Sequence, residues 1–183
     1  LKKNSKELID LKYHEENFCF PIRDYYEKLS LLTNRNSFMF LCNEFNKEYN
    51  INWKDTSLQE NALYVLKKIQ SKNIFQSILS AQEFKQLNIY MKHYRIKSFF
   101  DYVIGLDNNK AEGKLESGQK LISLLKIQPQ KILLIGDTNY DYYISKKLNV
   151  DCVLFYSGHQ SKKRLKATGC KVISRLEDVL NFL

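Results

Sequence analysis

Lys131-Ile132-Leu133-Leu134-Ile135-Gly136-Asp137-Thr138-Asn139-Tyr140-Asp141 is the stretch on which the fold turns. Its apolar first half reads as a buried strand that stops abruptly at a glycine and a carboxylate. A second carboxylate follows four residues on, at the start of a helical pattern. Two acids at the C-terminal end of a buried strand are costly unless positive charge sits beside them. That edge is also where open α/β sheets bind ligands. Oxygen-only donors suit Mg²⁺, which takes one or two carboxylates and leaves room for a phosphate. The stretch therefore predicts a Mg²⁺-assisted phosphoryl site with Asp137 and Asp141 as metal ligands.

Downstream of about residue 57, strand and helix patterns alternate around this run, as in an α/β layer fold. Ser57-Leu58-Gln59-Glu60 has the form of a capping box opening a helix with Ala62, Leu63, Leu66 and Ile69 on one face. A strand over 75–79, a helix over 82–94 and a strand over 102–104 are expected next. A loop over 108–114 leads into a helix with Leu121, Leu124 and Leu125 inward. Strands over 132–135 and 152–156 flank a helix over 140–148. A short strand over 171–173 and a helix over 176–182, opened by Ser174-Arg175-Leu176-Glu177, close the chain. Connections of these lengths imply parallel strands with right-handed crossovers. Residues 1–55 differ: they are polar and aromatic, with Phe38, Leu41, Cys42 and Phe45 at helical spacing and no strand pattern. The expected division is a helical module over 1–55 beside an α/β core over 56–183.

Composition bounds the rest. The chain has 183 residues, 44% hydrophobic and 13% aromatic, enough to bury a core. No apolar run is long enough for a membrane-spanning helix, and Leu1-Lys2-Lys3-Asn4-Ser5 is no signal-peptide core. Cys19, Cys42, Cys152 and Cys170 are scattered without CxxC spacing or a matching His cluster, which fits buried reduced thiols in a cytoplasmic protein. The formal charge of +9 peaks at Lys162-Lys163-Arg164 with Lys166. No nucleic-acid-binding motif or aromatic interleaving accompanies that cluster, so a solvated surface is expected rather than a nucleic-acid partner.

Further chemistry-bearing residues stand at successive strand ends. Ser80 falls in Ile78-Leu79-Ser80-Ala81, and Lys114 lies in the loop ahead of a helix. A hydroxyl, an ammonium and two carboxylates on one sheet edge match phosphoryl transfer: the first two hold phosphate oxygens while the acids hold a metal. Taken singly each has a plainer role. Ser80-Ala81-Gln82-Glu83 is itself a capping-box pattern, Thr138 with Asp141 is another, and Lys114 is one lysine among many. His159, in Ser157-Gly158-His159, fits either substrate contact or a polar loop.

The ordered set resembles the haloacid dehalogenase-like hydrolases, in particular the phosphoglycolate-phosphatase-like branch, over essentially the whole chain. Ile78-Leu79-Ser80-Ala81 is similar to that family's second motif, whose Ser or Thr binds the transferring phosphoryl group. Lys114 falls where the third motif places its lysine, and Gly136-Asp137-Thr138-Asn139-Tyr140-Asp141 is similar to the GDxxxD fourth motif, whose acids hold Mg²⁺. The resemblance implies a Rossmann-like core with a helical cap over 1–55, which would include Pro21-Ile22-Arg23-Asp24-Tyr25-Tyr26. It implies a phosphatase acting on a small phosphorylated metabolite through an aspartyl-phosphate. Ser80 and Lys114 would be catalytic, and Ser80, Ala81 and Lys114 substrate-binding. The first motif, DxDx(T/V), supplies the family's nucleophile, yet no Asp-x-Asp occurs in this chain. In the family its strand lies between those bearing Ser80 and Asp137. A segment upstream of Leu1 is therefore expected to carry it, and the 183-residue chain alone is expected to be inactive. Phosphomutase, phosphonatase or dehalogenase chemistry on the same scaffold, and a non-catalytic binding protein that lost the nucleophile, are the alternatives.

Overall fold

The computed structural model describes residues 8–32, 37–107, 113–156 and 158–183. The chain's first seven residues, 33–36, residues 108–112 of the loop expected over 108–114, and Ser157 lie outside the described residues. Helices α1 (Leu11–Asn17), α2 (Ile22–Lys28) and α3 (Ser37–Asn52) come first, followed by a 3-10 turn over Trp53–Asp55 and α4 (Ala62–Ser71). The chain then alternates through β1 (Ser77–Glu83), α5 (Phe84–His93), β2 (Tyr102–Leu106) and α6 (Lys114–Leu125). It continues through β3 (Leu133–Gly136), α7 (Asn139–Leu148), β4 (Asp151–Phe155), α8 (Lys162–Ala167) and β5 (Lys171–Ile173). A 3-10 segment, Leu176–Phe182, replaces the expected last helix.

Among the described residues the strands form two parallel sheets, as a Rossmann-like α/β reading expects of their directions. β1 pairs with β2, while β3, β4 and β5 pair in that order. β4 buries apolar side chains on both faces, Val153 and Leu154, as parallel strands between helical layers do, whereas β1 and β3 are at most half-buried along their length. Val153 and Ile173 meet Val65 and Ile69 of α4 and Val179 on one side. Ile144 and Leu148 of α7, with Val150, draw in Leu134, Leu115 and Ile122 on the other. Between β1 and β3 lies an apolar slot of about 990 Å³, lined by Leu79, Leu134, Ile135, Val65, Ile69 and Leu121, among others. Ile135, in mid-strand, is 41% exposed there.

Local patterns and tertiary pairing disagree at three helix starts. α4 begins after Asn61 in the left-handed region (φ 60°), not at Ser57, and its buried face is Val65 and Ile69, with Leu63 turned outward. β1 runs on to Glu83, so Ser80 lies inside a strand and caps no helix. Pairing with β2 explains the extension: the register jumps between Leu79 and Glu83, and Gly105 has no Cβ to collide with Gln82 O and Phe84 Cα at that bulge. The final 3-10 segment follows Arg175 without a side-chain cap. Leu124 and Phe45 face outward, whereas Leu121, Phe38, Leu41 and Cys42 are buried as expected. None of the four cysteines, all among the described residues, forms a disulfide; Cys42 is buried and the rest are half-buried.

The helical first third is fastened at both ends. Trp53 packs on Tyr90 of α5, with ring centroids 4.8 Å apart, and Thr56 Oγ1 meets Tyr94 Oη at 2.6 Å. At the other end α1 lies against the turn after β4, as described below.

Candidate functional site

β3 delivers Asp137 at its C-terminal end, and α7 starts at once behind it. Thr138 is the N-cap of α7 in a reciprocal capping box: its hydroxyl accepts from Asp141 N at 3.2 Å and donates to Asp141 Oδ2 at 2.7 Å. Asp141 Oδ2 also accepts from the backbone N–H groups of Asp137 (3.1 Å) and Thr138 (3.0 Å). Its Oδ1 takes the Lys114 ammonium at 2.5 Å. Lys114 is the first residue of α6, placed there by Gly113 at φ 96°. Thus the C-terminal ends of β2 and β3 meet through one ion pair.

The two carboxylates have opposite electrostatics. Burial pushes Asp141 upward, but the Lys114 charge and the hydrogen bonds from Lys114 and Thr138 outweigh it and hold the acid below its usual range. Asp137 is pushed up, first by burial and then by the negative charge of Asp141; His159 and Lys114 only partly oppose this. Asp137 is therefore the under-compensated charge. Gly136 and Gly158 exist for close approach: a Cβ on Gly136 would overlap the Asp141 side chain, and one on Gly158 would overlap the Asp137 carboxylate.

The turn after β4 ties this edge to α1. Gln160, wholly buried, accepts from Asn139 N at 2.7 Å and donates to Asn139 Oδ1 and Phe18 O, each at 2.9 Å. Arg164 Nη1 donates to Glu15 O and Phe18 O, both at 2.8 Å. His159 stacks on Phe18 (centroids 4.4 Å apart), and its Nδ1 lies 3.2 Å from His14 Nε2. Burial and the nearby His159 lower the His14 pKa. Phe20 stacks on Tyr140, which stacks on Tyr143. Part of the basic cluster has internal work: besides Arg164, Lys162 donates to Ser174 Oγ at 2.9 Å.

Lys114, Asp137 and Asp141, all expected at the site, come together. Ser80 and Ala81 stand on β1, across the slot. Ser80 Oγ accepts from Gln82 N at 3.1 Å and, among the described residues, bonds to none of the three. Sequence reasoning missed Gln160 and Gly158. A glutamine in a turn carries no local pattern, whereas a glycine directly past a strand end was a usable signal for close approach.

Among the described residues no group of three or more His, Cys, Asp or Glu side chains gathers to hold a metal. A Mg²⁺ ion needs only one or two carboxylates and keeps its waters. The raised, under-compensated Asp137 fits that role directly. Asp141, with both oxygens already hydrogen-bonded, fits through water.

Comparison with known proteins agrees with this geometry. The chain is 24% identical over 110 residues to a Caldanaerobacter subterraneus protein named for pyrophosphatase activity, PpaX; the match takes in 58% of this chain and spans about half (50%) of that relative. It superposes on a predicted phosphatase from Clostridium acetobutylicum with a TM-score of 0.83 at 13% identity, over 98% of this chain and 84% of that one. A predicted phosphoglycolate phosphatase from Haemophilus somnus gives a TM-score of 0.77 at 12% identity, over 99% and 85% of the two chains. At such identities these likenesses establish the fold alone. The family described as haloacid dehalogenase-like hydrolase matches over residues 1–155, most of the sequence, and the chain belongs to that family.

Proposed function

We propose that the chain is the cap (1–55) and most of the core (56–183) of a Mg²⁺-dependent phosphatase for a small phosphorylated metabolite. An Asp upstream of Leu1 would be the nucleophile, forming an aspartyl-phosphate that water then hydrolyses. The observation that carries this reading is the cluster at the end of β3. There the half-buried Asp137 lies beside Asp141, whose two oxygens already accept from Lys114, Thr138 and backbone N–H groups, and burial and the Asp141 charge push the Asp137 pKa up. Bound Mg²⁺ would supply charge neutralisation for the phosphoryl oxygens. Asp137 would hold it, with Asp141 steadying one of its waters.

Lys114 spends one N–H on Asp141 and keeps two for phosphoryl oxygens. Ser80 accepts from Gln82 N and keeps its own proton to donate, with Ala81 beside it on the β1 bulge. The helical cap, attached through α1 and through Trp53, would cover the edge and exclude water. In a protein that includes the upstream strand, Asp137→Asn should abolish Mg²⁺-dependent hydrolysis of an aryl phosphate while leaving the fold intact. Undiminished turnover would remove Asp137 from the mechanism. Replacing Lys114 should lower turnover about 10²-fold, the usual loss for one preorganised electrostatic stabiliser.

A further inference from the structure

We propose that Cys152 and Cys170 are an oxidation site: hydrogen peroxide converts the pair to a reversible disulfide that clasps β4 to β5. The inference rests on strand register and is independent of the phosphatase reading.

Val153 pairs with Lys171, Leu154 with Val172 and Phe155 with Ile173. Cys152 and Cys170 each stand one residue before the first of these pairs, so they face each other across the same ladder. Side chains directly opposed on neighbouring strands project from one face, and such strands lie about 4.8 Å apart. That spacing falls within the roughly 4.4–6.8 Å between Cα atoms that a disulfide spans. The two side chains already meet. Cys170 Sγ donates to Cys152 O at 3.2 Å, and the Cys152 thiol is hydrogen-bonded to the Cys170 sulfur. Forming the bond therefore calls for side-chain rotation rather than movement of a strand.

The two thiols are unequal. Burial drives the Cys152 pKa up to about 12, which makes it the poorer nucleophile. Burial also raises Cys170, but the bond from Cys152, backbone hydrogen bonds and the Lys146 charge oppose it. Cys170 is thus the thiol that reacts with peroxide. Its sulfur attacks one peroxide oxygen and the O–O bond breaks, giving a sulfenic acid on Cys170 and a water. The Cys152 sulfur, losing its proton, then displaces the sulfenic hydroxyl, which leaves as a second water. In balance, two thiols and one hydrogen peroxide give one disulfide and two waters. A dithiol reductant reverses the bond by exchange.

The loop that the bond closes carries Gly158, set against the Asp137 carboxylate. It also carries Gln160 and Arg164, which hold the carbonyls at the end of α1. A cross-link at its two feet restricts the unfolded chain and so stabilises the folded one.

The test treats the protein with hydrogen peroxide, blocks the remaining thiols, and maps the cross-linked peptides by mass spectrometry before and after dithiothreitol. Expected is the loss of two hydrogens, confined to a species joining residues 152 and 170. The urea midpoint should rise by about 1 M, the scale for closing a loop of this size. Both changes should be reversed by dithiothreitol and absent from Cys170→Ser. Cys152→Ser should stop at a sulfenic acid on Cys170 that dimedone traps. Free thiols remaining at both 152 and 170 overturn the inference, as does a disulfide joining any other pair or two copies of the chain. Oxidation confined to Cys19, whose sulfur accepts from Lys28 at 3.3 Å, also overturns it. A 152–170 cross-link that leaves the midpoint unchanged overturns the clasp. The peptide map of the unsubstituted protein decides the pairing even if a serine variant fails to fold. A failed aryl-phosphate assay would leave this result untouched.

Discussion

Asp137 and Asp141 are four residues apart and chemically alike, yet their surroundings give them opposite effects on stability. Asp141 is buried, paired and hydrogen-bonded, and its pKa is depressed; the stability it supplies is present above the ordinary carboxylate range and disappears as pH falls through the depressed value. Asp137 has a raised pKa, so its favourable protonated state is lost as pH rises through that value, leaving a penalty at neutral pH. In metal-free buffer at pH 7, Asp137→Asn should therefore raise the urea midpoint and Asp141→Asn should lower it. Equal shifts of one sign would show that the two acids are not differentiated. Lys114→Met strands the Asp141 charge and should cost about 3 kcal/mol by denaturant unfolding, the scale for breaking a buried pair. A loss within 0.5 kcal/mol, the range of ordinary surface changes, would mean that water replaces the lysine. The pairing of these residue types was legible in the sequence; their division of labour was not, because it depends on which acid Lys114 reaches.

At the scale of elements, α7 is the helix whose start the sequence displayed most openly. Thr138→Ala should cost about 1 kcal/mol through loss of the cap. Gly136→Ala forces a Cβ into Asp141 and should cost about 1–3 kcal/mol, as overpacking does. Both are read from thermal or denaturant unfolding, and a neutral Gly136→Ala would show that α7 can slide away. The same four-residue pattern misled at Ser57 and Ser80. A capping box is a local signal, and pairing with β2 across Gly105 keeps Ser80–Glu83 extended in spite of it. The strands expected over 171–173 and 132–135 were readable, and lie at 171–173 and 133–136, because a short apolar run bounded by polar residues leaves its mark on the sequence. The β1 bulge left no mark, since its cause lies on another strand.

At the scale of the whole molecule, two half-sheets share the edge where Lys114 pairs with Asp141, and α1 is riveted to that edge by backbone carbonyls that Gln160 and Arg164 satisfy. Truncating Arg164 to Ala removes one donor each from Glu15 O and Phe18 O, which keep Ser161 N and Gln160 Nε2, and should destabilise the attachment by about 0.5–1.5 kcal/mol. Limited proteolysis should then cut more readily within 8–20, and an unchanged cleavage rate would show that α1 is held by its aromatic contacts instead. The divided sheet was foreseeable from a chain with no strand pattern ahead of residue 57; the α1 attachment was not, because a lone turn glutamine bridging residues 142 positions apart leaves no periodic trace. The most direct test of the site is a Mg²⁺ titration followed by backbone amide resonances. Saturable shifts centred on 136–141 and 158–159, abolished by Asp137→Asn, are the predicted result. Shifts centred elsewhere, or shifts that survive Asp137→Asn, would contradict it.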